Sequence, residues 1–237
     1  MAATSDPYPE GAPPGHIVLY GNPTSRVCKV LWVCAELGVP VISVPVWEQR
    51  KEPLFTQLNP KQAVPVVRDG DLLLHESNTI VTYLAAKYGW AAAPPATTTS
   101  KVTHPDGTCV EVTTSTTGSA SGDGADSLLP VGPEATAVAS MWTEYAETTI
   151  APKQNPIFFG KVRLGPIGAQ PAASGAPAEK RPGCPSDEAL LEHVPGLVRA
   201  WTAFEEALEG KLYVAGDAFT IGDICAAVQV PLSCKCV

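Results

Sequence analysis

The hydrophobic period of the chain changes twice within residues 16–46, from strand to helix and back, and few folds accommodate that order. His16-Ile17-Val18-Leu19-Tyr20 is a short apolar run closed by the turn formers Gly21, Asn22 and Pro23, which predicts a buried strand. Val27, Val30, Leu31, Cys34 and Leu37 then recur at helical spacing ahead of Gly38, so residues 26–37 are expected to form a helix packed on the sheet. Residues 41–46 return to strand character. Together they make a βαβ unit, which implies parallel strands joined by a right-handed crossover.

Two further short runs, residues 65–68 and 71–74, are separated by Asp69 and Gly70, a dipeptide suited to a type I′ hairpin. Ile80, Leu84 and Tyr88 share a stripe on a segment that begins at Glu76 and ends at Gly89, which predicts a second packed helix. Residues 91–133 are rich in Thr, Ser, Gly, Ala and Pro, with little apolar periodicity, and are expected to be a linker or insert. Helices are expected over residues 134–150 and from Ser186, an N-cap, through Leu208, with Pro195 kinking or splitting the latter. Thr220 and Asp223 have capping-box spacing, with Phe219 and Ile224 in hydrophobic-staple positions, so another helix should start there.

Composition excludes some roles. A net charge of -8 and no basic run longer than Arg50-Lys51 argue against nucleic-acid binding. Residues 1–15 lack the pattern of a secretory signal and are expected to be a disordered tail. No apolar stretch reaches the length of a membrane span, since Glu36 and Glu48 interrupt the richest region. Seven scattered cysteines do not pair as a disulfide framework and fit a reducing, cytoplasmic setting. The four histidines lack metal-ligand spacing, so no metal is expected.

The segments Leu19-Tyr20-Gly21-Asn22-Pro23-Thr24-Ser25, Lys29-Val30-Leu31-Trp32, Asn59-Pro60, Val64-Pro65, His75-Glu76-Ser77-Asn78-Thr79-Ile80 and Tyr83-Leu84-Ala85 together resemble the N-terminal domain of serine-type glutathione transferases. The likeness is nearest to the theta-like and phi-like branches and their bacterial relatives, and Tyr213 to Ile224 resembles the capped core helix of that family's second domain. It implies a thioredoxin-like α/β domain over residues 16–89 followed, after the insert at 90–133, by an all-α domain over 134–237 with an irregular stretch at 165–185. The implied function is transfer of glutathione, a co-substrate rather than a bound cofactor, to a small hydrophobic electrophile, with peroxide reduction by the same thiolate. A homodimer is implied as well.

The resemblance also assigns residues. It implies a cis peptide before Pro65 that turns the Val64 backbone toward the cysteinyl part of glutathione. Ser77 and the start of its helix inherit the γ-glutamyl carboxylate and Glu76 its ammonium, in keeping with the anion preference of a helix N-terminus. Lys51 or Lys61 would serve the glycyl carboxylate. Ser25 would stabilise the sulfur as thiolate by a hydrogen bond aided by the helix dipole. The stretch between Ser25 and Lys29 is one residue shorter than in close relatives, so Thr24 is the competing hydroxyl.

Family members continue for several tens of residues beyond Thr220-Ile221-Gly222-Asp223-Ile224, whereas this sequence stops at Val237, so exposed apolar surface is expected near residues 224–232. Two other readings remain: a non-catalytic interaction module of the same fold, and a thiol-disulfide oxidoreductase using Cys28. Cys28 lies inside the first helix, where it reads as a packing residue.

Overall fold

The computed structural model describes residues 13–23, 25–46, 51–89, 97–103, 109–115, 127–162 and 187–230. Residues 1–12 of the expected tail at 1–15, the whole irregular stretch at 165–185 and the Ser186 cap lie outside them. The first half follows the expected order. Strand β1 (Ile17–Tyr20) leads to helix α1 (Val27–Glu36), strand β2 (Val41–Val44), helix α2 (Pro53–Leu58), strands β3 (Val66–Asp69) and β4 (Leu72–His75), and helix α3 (Ser77–Tyr88). The sheet order is β2-β1-β3-β4, with β1 parallel to β2 and antiparallel to β3.

Both faces of β1 are covered, which is why it reads as an unbroken apolar run. Ile17 and Leu19 point into a core with Val27, Val30, Val33, Ile80, Val81 and Leu84 from α1 and α3. Val18 and Tyr20 point the other way, onto Phe55 and Leu58 of α2 and Val46. Helix α2 was not expected from periodicity, because six residues are too few to show one.

The β3–β4 hairpin corrects the predicted turn by one residue. Asp69 pairs with Leu72, so Gly70 and Asp71 are the two turn residues. Gly70 alone has positive φ, at 58°, where type I′ needs two such residues. Asp69 is drawn into the strand end, where its Oδ2 accepts hydrogen bonds from Tyr83 at 2.8 Å, Tyr88 at 2.9 Å and Lys87 at 2.7 Å.

Within the expected linker, strands β5 (Thr97–Thr103) and β6 (Cys109–Ser115) pair antiparallel in full register. Their Thr and Val content carries β propensity where apolar periodicity is weak. Helix α4 (Pro133–Tyr145) passes into a π-helical turn (Ala146–Ile150) and then α5 (Ala151–Val162), so the helix expected to end near residue 150 continues. Pro152 and Pro156 lack N–H groups and cannot close α-helical hydrogen bonds at those positions, consistent with the irregular turn preceding them. Helices α6 (Asp187–Leu191) and α7 (Val194–Leu208) split just before Pro195, as expected.

Helix α8 (Ile221–Ala227) starts at the predicted capping box: the Thr220 N–H donates to Asp223 Oδ2 at 2.9 Å, and Thr220 Oγ1 accepts from Gly222 N at 3.2 Å. Asp223 Oδ1 also accepts from Val214 N at 2.8 Å, tying in the preceding loop. The apolar surface expected to be exposed from residue 224 is instead buried at Ile224, Cys225 and Ala226, because α8 lies against α4 and joins the core that contains α1 and α3. Val230 is exposed.

Helices α4 and α8 approach through Gly222, where a built Cβ would sit 3.1 Å from both the Ala139 carbonyl oxygen and Trp142 Cβ. Gly222→Val is therefore expected to cost about 1–3 kcal/mol through overpacking, read as a lower urea midpoint, with Gly222→Ala intermediate. Asp69 gives a pH-dependent case. Burial alone would raise its pKa, but the donors Lys87, Tyr83 and Tyr88 outweigh burial and hold it below the usual value. A depressed folded-state pKa stabilises fully above the unfolded value of about 3.9, and this contribution disappears as pH falls through the folded value. Asp69→Asn should thus lower the urea midpoint at neutral pH, with the gap to wild type closing below that value.

Candidate functional site

Registration across the sheet brings the predicted site residues together. Tyr20 at the end of β1 pairs with Val66 at the start of β3, and Val66 pairs with His75 at the end of β4. The loop from Gly21 to Ser25, the Val64-Pro65 peptide and the Glu76-Ser77 pair therefore leave the sheet at one end. The Val64-Pro65 bond is cis. Gly21, with φ 137°, lies flat against this loop: a Cβ there would fall 2.5 Å from Val27 Cγ2 and 2.9 Å from Val64 Cβ. Only glycine fits this close approach.

Glu76 caps α3 with φ 72° and ψ 108°, a positive φ that is uncommon for a residue with a side chain. Such strain costs on the order of 1–3 kcal/mol and collects at ligand-gripping positions. Its carboxylate pairs with Lys61 Nζ at 2.5 Å, and that hydrogen bond, foremost among the causes, lowers the Glu76 pKa. Ser77, 7% exposed, opens α3, whose first-turn N–H groups have no side-chain cap. Lys61 thus reaches the site through Glu76. Lys51 is exposed ahead of α2.

Ser25 is half-buried, with its hydroxyl already engaged: it donates to the Asn22 carbonyl at 2.7 Å and accepts from Val27 N at 3.3 Å. It closes the turn into α1. Thr24 lies outside the described residues. Cys28, in the first turn of α1, has its thiol pushed up chiefly by burial, which suppresses the thiolate a redox nucleophile needs. No group of three or more His, Cys, Asp or Glu side chains among the described residues could hold a metal ion. No helix among them is long and apolar enough to cross a membrane.

Sequence reasoning missed a polar cluster behind this end of the sheet. Lys29 of α1 is fully buried, and its Nζ donates to Asn78 Oδ1 and to Glu147 Oε1, each at 2.6 Å. Glu147 Oε2 accepts from Arg26 Nε at 2.7 Å. Asn78 Nδ2 in turn donates to Glu144 Oε1 at 2.9 Å and to the Thr143 carbonyl at 3.3 Å. Burial opposes ionisation of Glu147, yet the charges of Lys29 and Arg26 prevail and its pKa is lowered. The one available signal was a lysine among the apolar positions of the first helix.

The fold defines a class: a thioredoxin-like α/β domain, with the loops that carry the candidate residues at one end of the sheet, joined to an all-α domain. A family model described as the glutathione S-transferase N-terminal domain matches residues 19–95. Glutathione S-transferase 3 of Zea mays is 29% identical over 210 residues, covering 86% of this chain and 72% of that protein. Glutathione S-transferase GstB of Escherichia coli (strain K12) is 27% identical over 217 residues, covering 89% and 80%. Among solved structures, the theta class glutathione S-transferase of Xanthomonas axonopodis pv. citri with glutathione bound superposes with TM-score 0.65 at 25% identity, covering 92% of this chain and 81% of that one. Residues 19–95 thus match the N-terminal domain of glutathione S-transferases, and most of the chain is similar to proteins of that name.

Because its hydroxyl closes the α1 turn, Ser25 carries a structural load independent of any ligand. Ser25→Ala is expected to lose about 1 kcal/mol in chemical unfolding of the free protein, the usual cost of removing such a cap.

Proposed function

We propose that the protein is a glutathione transferase, which ionises the thiol of glutathione and adds the thiolate to a small hydrophobic electrophile. The observation that carries this reading is the meeting of the Gly21–Ser25 loop, the Val64 backbone and the strained Glu76-Ser77 start of α3 at one end of the sheet. In our reading the Val64 backbone pairs with the cysteinyl residue. Ser77 and the free N–H groups of α3 take the γ-glutamyl carboxylate. Glu76 takes the ammonium once Lys61 gives way, and Lys51 or Lys61 serves the glycyl carboxylate. The thiolate sulfur forms the new C–S bond, and in addition to an activated double bond solvent returns the proton to carbon. The same thiolate would also attack a peroxide oxygen, breaking the O–O bond to release an alcohol and leave glutathione sulfenic acid, which a second glutathione reduces, giving the disulfide and water.

A free thiol titrates near ~8.5, so each unit of depression needs about 1.4 kcal/mol of preference for the anion. A hydrogen bond to the charged sulfur together with the α1 dipole is of that size. Ser25 has one hydroxyl proton, which the Asn22 carbonyl holds in the free protein. Donation to sulfur requires it to leave that carbonyl, and Thr24 is the competing donor. The raised thiol of Cys28 weighs against a thiol-disulfide oxidoreductase. We place the enzyme in the cytoplasm, in detoxification, as a homodimer; the similarity to glutathione S-transferases supports this setting.

The test is a pH titration of thiolate absorbance for glutathione bound to wild type, Ser25→Ala and Thr24→Ala. The bound thiol is expected to titrate at least about one unit below free thiol, with reversion in the variant that lacks the donating hydroxyl. Glutathione bound with an unshifted thiol would leave the non-catalytic module as the function.

A further inference from the structure

Lys29 is the only fully buried charged residue among the described residues, and it sits where a cation is electrostatically misplaced. It occupies the first turn of α1 and reaches Asn78 in the first turn of α3. The N-terminal end of a helix carries positive potential, so an ammonium between two such ends is disfavoured by both. Desolvation adds to that cost. The arrangement is tolerable because Glu147 neutralises it from a third element, the π-helical turn between α4 and α5.

The geometry of Glu147 is that of a two-point anchor. One carboxylate oxygen holds Lys29 and the other holds Arg26, so both contacts fall on the first turn of α1 and the residue that precedes it. Through Lys29 the grip passes to Asn78, whose amide also binds Glu144 and the Thr143 carbonyl on α4. Asn78 directly follows Ser77, and Arg26 directly follows Ser25. None of the four side chains Arg26, Lys29, Asn78 and Glu147 is given a role in holding glutathione above, yet they fasten both helix starts that do hold it.

We propose that Glu147 is a positioning residue: with Lys29 it clamps the starts of α1 and α3 to the helical domain and so fixes the spacing between the thiol-activating hydroxyl and the γ-glutamyl site. This rests on the transferase reading for its ligand, and the clamp itself is measurable without one. Because an unpaired buried Lys29 could unfold the protein, Glu147→Gln is accompanied by the double variant Lys29→Met/Glu147→Leu, which removes both charges at similar volume.

Two readouts are taken on the full chain: amide hydrogen exchange of the free protein, and the steady-state dependence of conjugation on glutathione with a model aryl halide. In folded variants, the first helix-bonded amides of α1 and α3, residues 30–33 and 80–83, are expected to exchange faster while those of α7 keep wild-type rates. The KM for glutathione should rise by about tenfold or more, with kcat changing less, since a displaced grip weakens binding first. Wild-type exchange at both helix starts and an unchanged KM in the folded double variant would overturn the clamp. If wild type binds no glutathione while the two helix starts loosen selectively in the variants, the clamp is upheld and the transferase reading falls instead.

Discussion

The pairing of β3 between β1 and β4 is the constraint on which the rest depends. A strand slipped by one residue would turn every side chain to the opposite face, and Val66 and Val67 pack into different cores on the two sides of the sheet. Register is therefore fixed by burial on both faces. Once it is fixed, the row Tyr20, Val66 and His75 determines that three loops distant in sequence emerge side by side. The convergence of the candidate residues is a by-product of packing the sheet correctly.

Much of this was legible in the residues. The alternation of strand and helix periods over residues 16–46 needed no tertiary information, because β1 and α1 each present a complete apolar pattern to the same core. The capping box at Thr220 was legible for a similar reason: its partners are three residues apart. What escaped depended on distant neighbours. Asp69 resembled a turn residue until Tyr83, Tyr88 and Lys87 supplied donors that hold it at the strand end. Lys29 was assigned no role from the sequence, because the partners that enclose it, Asn78 and Glu147, lie 49 and 118 residues away.

The candidate site was legible mainly through family resemblance, and the structure adds what resemblance does not contain. Glu76 was expected to greet an ammonium, and in the free protein Lys61 occupies that carboxylate. Ser25 was expected to point its proton at sulfur, and the Asn22 carbonyl holds it. Both are exchanges of partner rather than empty positions. Ligand binding at such a site replaces one set of hydrogen bonds by another, so the net gain is smaller than the new contacts alone suggest.

The buried cluster that begins with Ile17 and Leu19 does not stop at the boundary between the α/β half and the helical half. It continues through Val30 and Ile80 into Ala139, Phe204, Ile221 and Ile224. The two halves are therefore domains by architecture but not by thermodynamics. Neither could leave the other without exposing the interior of both, and melting of α8 would be felt in the sheet. Substitutions in the helical half are accordingly restrained at the positions that face α1 and α3, because those side chains complete the core of the sheet.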